Sequence, residues 1–91
     1  MELLTILNIL ESTLTRKTVS LKNDSEGCSW SSDDLFSASF TIDEDTTEIE
    51  DVIQICLVNK NDEVYVYINY NNRQKYLKLL LEDIDIFEVT I

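Results

Sequence analysis

The chain reads as an α+β domain: an N-terminal helix packed on a mostly antiparallel sheet of five to six strands, with residues 1–91 forming a single domain. Three observations predict it. Leucines recur at helical spacing near the start. Apolar and polar residues alternate with period two from Phe36 onward. Short turn-forming clusters, rather than helix-length connections, separate the later apolar runs. The 44% apolar content is too high for a disordered acidic tail, and the size allows one modest core. One glycine and no proline exclude collagen, proline-rich linkers and glycine-rich phosphate loops.

Residues 2 to about 15 form the helix on this reading. Leu3, Leu7, Leu10 and Leu14 are spaced by 4, 3 and 4, and Leu4 and Ile6 broaden the stripe. Glu2 lies at the positive end of the helix dipole and Arg16 and Lys17 at the negative end. A helix this short needs a surface to pack on. Thr18 to Lys22 read as a short strand with Val19 and Leu21 on one face, and Asn23 to Asp34 as a serine-rich polar loop. Phe36, Ala38, Phe40 and Ile42 alternate with Ser37, Ser39 and Thr41, giving the clearest half-buried strand. Asp43 to Asp51 read as an acidic connection and Val52 to Val58 as a central strand. Asn59 to Asp62 form a hairpin turn, and Glu63 to Tyr70 a strand with Val64, Val66, Ile68 and Tyr70 on one face. Tyr65 and Tyr67, on the other face, are expected to pack under the helix. The stretch 73–83 fits either a second helix or a strand, and the Asn71-Asn72 turn before it favours the strand. The last run, Ile84 to Ile91, is a strand whose phase breaks near Asp85 or Ile86, as a bulge would cause.

The formal net charge is −11, and it is unevenly placed. Residues 24–51 hold ten acidic and no basic residues, and residues 82–91 hold four acidic and no basic ones. Residues 1–23 carry +1 and residues 52–81 carry +2. A fold that brings the two acidic segments to one side creates a continuous negative face. Such a face either serves solubility alone or complements a basic protein surface, standing in for the phosphates of a duplex. The same charge argues against direct binding of nucleic acid or of an anionic membrane.

Catalytic chemistry is poorly supplied. Histidine is absent, which removes the commonest general base and zinc ligand. Cys28 and Cys56 form no CxxC pair, and the expected state is two reduced thiols in a cytoplasmic chain. The apolar start has acidic flanks and its basic pair follows it, unlike a secretory leader. Asn23-Asp24-Ser25 matches a glycosylation acceptor, which is idle in that compartment. Asp43, Glu44, Asp45, Glu48, Glu50 and Asp51 could gather calcium but lack the register and glycine of an EF-hand loop. No catalytic residue, metal ligand set or cofactor is expected. The expected partner-binding residues are Asp33, Asp34, Asp43, Glu44, Asp45, Glu48 and Glu50, with Trp30 as an apolar anchor or, equally, a core residue.

No motif names a family. The profile as a whole resembles the small inhibitor proteins that viruses and phages make against host nucleases and restriction or CRISPR systems. It is similar also to immunity proteins that neutralise basic toxins. The resemblance implies a stoichiometric inhibitor in the host cytoplasm whose partner is a basic, nucleic-acid-binding protein. A non-enzymatic structural or assembly protein, or a divalent-cation-binding one, is the alternative. An unpaired last strand is open to a partner's sheet or to a homodimer.

Overall fold

A computed structural model of the chain describes residues 1–14, 16–22, 25–71 and 74–91, with the side chains at 16–22, 25, 26 and 33 outside the description. Helix α1 (Leu3–Thr13) is followed by strands β1 (Arg16–Lys22), β2 (Ser25–Ile42), β3 (Asp45–Lys60), β4 (Glu63–Tyr70) and β5 (Lys75–Leu80), a single 3-10 turn (Leu81–Asp83), and β6 (Ile86–Thr90). The sheet has six strands in the order β1-β2-β3-β4-β5, with β6 paired to β2, and every pairing is antiparallel. The expected α+β class therefore holds. No described helix is long and apolar enough to cross a membrane.

The sheet is organised by one long hairpin. An 18-residue strand rising about 3.3 Å per residue would run ~60 Å if straight. The molecule measures only 31 Å along its longest axis, so β2 has to turn a corner. It does so where its ladder with β3 slips. Between the pairs Ser31↔Gln54 and Phe36↔Val52, β2 advances five residues against two, so that 32–35 stand out from the ladder. Between Phe36↔Val52 and Ala38↔Ile49 the extra residue is on β3, where Asp51 takes φ 57°. The corner divides each strand in two. The N-terminal half of β2 pairs with β1, and its C-terminal half pairs with β6.

Two of the hairpin turns are two residues long. Asp43 and Glu44 (φ 50° and 71°) join β2 to β3, and Asn61 and Asp62 (φ 53° and 63°) join β3 to β4. Two consecutive positive φ values define a type I′ turn, which matches strand twist and which Asp and Asn tolerate. The expected acidic connection from Asp43 to Asp51 thus shrinks to two residues, and the rest is strand. The expected loop from Asn23 to Asp34 is likewise strand from Ser25 onward, because β1 and β3 pair with it on both sides. Asn23, Asp24 and the glycosylation match on them lie outside the described residues.

The core lies on one face of the sheet, under the helix. Ile6 and Leu10 of α1, then Leu14, join Trp30, Phe36, Phe40, Val52, Ile55, Val66, Ile68, Ile84 and Phe87 in one cluster. The helix buries the Ile6–Leu10 line, while Leu3 and Leu4 stay exposed. Glu2 is the N-cap but makes no side-chain cap, and Arg16 and Lys17 belong to β1 rather than to the helix end. The Met1 ammonium donates to the carbonyl oxygens of Leu81 (3.1 Å) and Ile84 (2.6 Å), which ties the start of α1 to the 3-10 turn. That turn, rather than a bulge, breaks the phase of the last run, leaving Ile84 and Phe87 buried and Ile86 exposed. Residues 75–80 are strand, not a second helix.

One expectation about side-chain placement changes. The helix side of β4 carries Val66 and Ile68, so Tyr65 and Tyr67 face away from α1. There Tyr67 stacks at 6.1 Å on Tyr76, and the Lys78 ammonium lies 4.5 Å from the Tyr65 ring centre. Cys28 pairs with Leu57 on the core side, whereas Cys56 pairs with Ser29 on the opposite face. The two cysteines form no disulfide with each other, since a one-residue offset in register points them to opposite faces.

Candidate functional site

The candidate site is built by the turn half of the long hairpin. Along β2, Phe36, Ala38 and Phe40 point into the core, so Ser37, Ser39 and Thr41 point outward. Ser39 pairs with Glu48 of β3 on one side and Glu88 of β6 on the other. Thr41 likewise stands between Thr46 and Ile86, with its hydroxyl 2.8 Å from that of Thr46. Small hydroxyl side chains thus line the middle strand and carboxylates flank it. Alternation then puts Glu50 on the same outward face as Glu48, one step further along β3. All the carboxylates named here are exposed.

The turn end adds to this face. The Asp43 backbone N–H donates to Asp85 Oδ2 at 3.1 Å, and the Asp85 N–H donates to the Thr41 carbonyl at 2.8 Å. These bonds lock the start of β6 against the Asp43-Glu44 turn. The two acidic segments, 43–51 and 82–88, therefore meet through β2 although they are far apart in sequence. Strands about 4.8 Å apart, with same-face residues about 6.7 Å apart along each, put Glu48 and Glu88 about 10 Å apart at the backbone. That is sparser than the charge along a duplex, about one per 1.7 Å of axis. The carboxylates are dispersed rather than chelating: among the described residues no group of three or more Cys, Asp or Glu side chains is placed to hold a metal ion.

The sequence-expected residues divide as follows. Glu48 and Glu50 fall on this face and Asp43 and Glu44 form the turn at its end, whereas Asp45, paired with Ile42, alternates to the opposite side and stands exposed there. Asp34 stands exposed in the outstanding stretch of β2 at the corner. Asp33 is in β2, and its side chain lies outside the described residues. Trp30 is 1% exposed and belongs to the core, the second of its two expected placements, so it presents no exposed ring as an anchor. Sequence reasoning left out Glu88 and Asp85 as site residues. The alternation of Phe87 and Val89 with Glu88 is the signal that would have placed Glu88 on an outward face.

At the corner the acidic face meets an open groove of about 300 Å³, lined by Leu35, Phe36, Ser37, Glu50, Asp51, Thr90 and Ile91. The Asp51 carbonyl accepts from the Asn71 N–H at 3.1 Å, which holds the bulge to the β4–β5 turn. No protein-family model matches this chain, and neither does any curated protein or solved structure.

Proposed function

We propose that this protein is a non-catalytic inhibitor that covers the basic, nucleic-acid-binding surface of a nuclease or of a restriction or CRISPR defence protein. Its carboxylates occupy positions that phosphates would take. One observation carries the reading: β2 brings two acidic segments, remote in sequence, onto one outward face, and neither segment contains a cation. Charge of one sign on a fixed sheet steers association with a basic partner and excludes acidic ones. The edge supports a plainer second reading. Asp45 to Ile49 of β3 pair with β2 alone among the described residues, and charges on an open edge deter sheet-to-sheet aggregation.

The test is capture from host lysate at about 100 mM salt, followed by competition with a short DNA duplex. The expected result is a basic nucleic-acid-binding protein that duplex DNA displaces, and that the double variant Glu48→Lys/Glu88→Lys retains at least about 100-fold more weakly. Partners that resist about 1 M salt and ignore the duplex would overturn the inhibitor reading and leave the charge as edge protection.

A further inference from the structure

We infer that the corner groove is the anchoring pocket of this face, and that its occupant is an arginine-bearing segment of the partner protein. Resting on the reading of the face as a docking surface for a basic protein, the inference names the side chain that seats first. Leu35 and Ile91 are 54% and 60% exposed, and both line the groove. Large branched side chains half in water gain from being covered, about 25 cal/mol per Å² of apolar area. Glu50 and Asp51 line the groove as well, and none of the lining residues is basic. The groove thus offers an apolar wall beside a pair of carboxylates.

That combination matches arginine better than other side chains. The three-carbon stem covers the apolar wall while the charged head stays at the rim. The guanidinium is weakly hydrated and presents five donors, suited to two neighbouring carboxylates and to the Ser37 and Thr90 hydroxyls beside them. A lysine ammonium keeps more of its water. A second copy of this chain is the other candidate for covering Leu35 and Ile91. A two-fold contact there would set Glu50 and Asp51 against their own duplicates, so repulsion would grow as the groove dried. The groove itself is a product of the corner: 32–35 stand out from the ladder on one side, and the bulge at Asp51 opens the other.

The test uses amide chemical-shift mapping with the blocked tripeptide acetyl-Leu-Arg-Leu-amide, titrated to about 10 mM, and its glutamine counterpart as control. The expected result is saturating shifts at 35–37, 50–51 and 90–91 with the arginine peptide only. Affinity should fall at least about fivefold in Leu35→Ser, in Ile91→Ser and in Glu50→Gln, and stay unchanged in Asp62→Asn, an exposed position in the β3–β4 turn at the other end of the hairpin. Both apolar variants are at exposed positions, so the fold should survive each, checked by an unchanged melting curve. Shifts confined to 43–48 and 82–88, indifferent to Leu35→Ser, would overturn the groove while leaving the acidic face as a docking surface. An absence of saturating shifts would overturn the inference too, with the reading of the face then judged by the duplex competition. Groove resonances that move with protein concentration alone, alongside a dimer in sedimentation, would also overturn it by assigning the groove to a second copy.

Discussion

The two ends of the long hairpin share an inner side and differ on the outer one. At the open end the outward row across four strands is Ser29, Cys56, Tyr67 and Lys78. At the turn end the corresponding row is Glu48, Ser39 and Glu88. Beneath both rows lies the same kind of packing, Ile55 and Ile68 at one end and Phe40 and Phe87 at the other. Lys60 stands at the open tip of β3 and Lys78 in the outward row beside Tyr67, whereas the segments 43–51 and 82–88 contain no basic residue. The core does not ask for this division. The carboxylates of Glu48, Glu50 and Glu88 at the turn end are exposed and stand outside the buried cluster.

The largest effect that would break the comparison is removal of the residue holding β6 in place. Phe87 is almost fully buried, and it pairs with Phe40. Phe87→Ala should cost about 3–5 kcal/mol, a large share of the roughly 5–15 kcal/mol typical of a domain. Ile68→Ala at the open end should cost a comparable amount, about 2–5 kcal/mol. If the halves form one cooperative unit, thermal unfolding followed by Trp30 fluorescence and by far-ultraviolet circular dichroism should coincide in both variants. An early, separate loss of amide protection in β6 of Phe87→Ala, with the rest intact, would show that the acidic face is a detachable addition.

How far the sequence discloses these halves follows from where information is local. The helix, the Phe36–Ile42 alternation, Val52–Val58 and the Glu63–Tyr70 strand are all visible because each has a buried stripe of its own period. The stretch Ser25 to Asp34 is hidden because serine is neutral about strand and loop, and its pairing is decided by β1 and β3. The first half of β3 is hidden because Ile49 is its one buried side chain, flanked by exposed acids. For the site, the acidic segments are legible as segments. Their meeting is not, since the β2–β6 pairing spans about half of the chain and register is set by contacts no local window contains. The arginine groove is further out of reach, because it depends on two ladder slips.

A smaller effect separates the ends by sign. Charges about 10 Å apart in water repel by roughly 0.4 kcal/mol, and salt screens them over about 10 Å at 0.1 M. Glu48→Gln/Glu88→Gln should therefore raise stability by about 0.4 kcal/mol in low salt, and the gain should shrink by more than half at about 0.5 M. Lys78→Gln should do the opposite, losing about 0.5–1 kcal/mol because its ammonium sits 4.5 Å from the Tyr65 ring centre. Denaturant titrations at two salt concentrations measure both. A stabilising Lys78→Gln would mean that the open end, like the turn end, is organised by repulsion.

The smallest expected effect is a titration at the open end. Tyr65 donates a hydrogen bond from its hydroxyl to Glu63 Oε2 at 3.0 Å. That bond, with minor help from desolvation and from the negative charges nearby, raises the Tyr65 pKa above the usual 10.0. The folded state then holds its proton to a higher pH than the unfolded chain does, so any stability linked to Tyr65 is complete below about pH 10 and is lost as pH rises through the folded pKa. Glu63→Gln keeps an acceptor but removes the charge, and should move the Tyr65 transition down toward the ordinary value in ultraviolet titration of the phenolate, with little change in the melting curve at pH 7. The turn end has no tyrosine and should show no stability change linked to phenol ionisation in this range. An unchanged Tyr65 transition in Glu63→Gln would mean that the surrounding surface, rather than this one carboxylate, holds the proton, and the open end would then share in the long-range negative field of the acidic face.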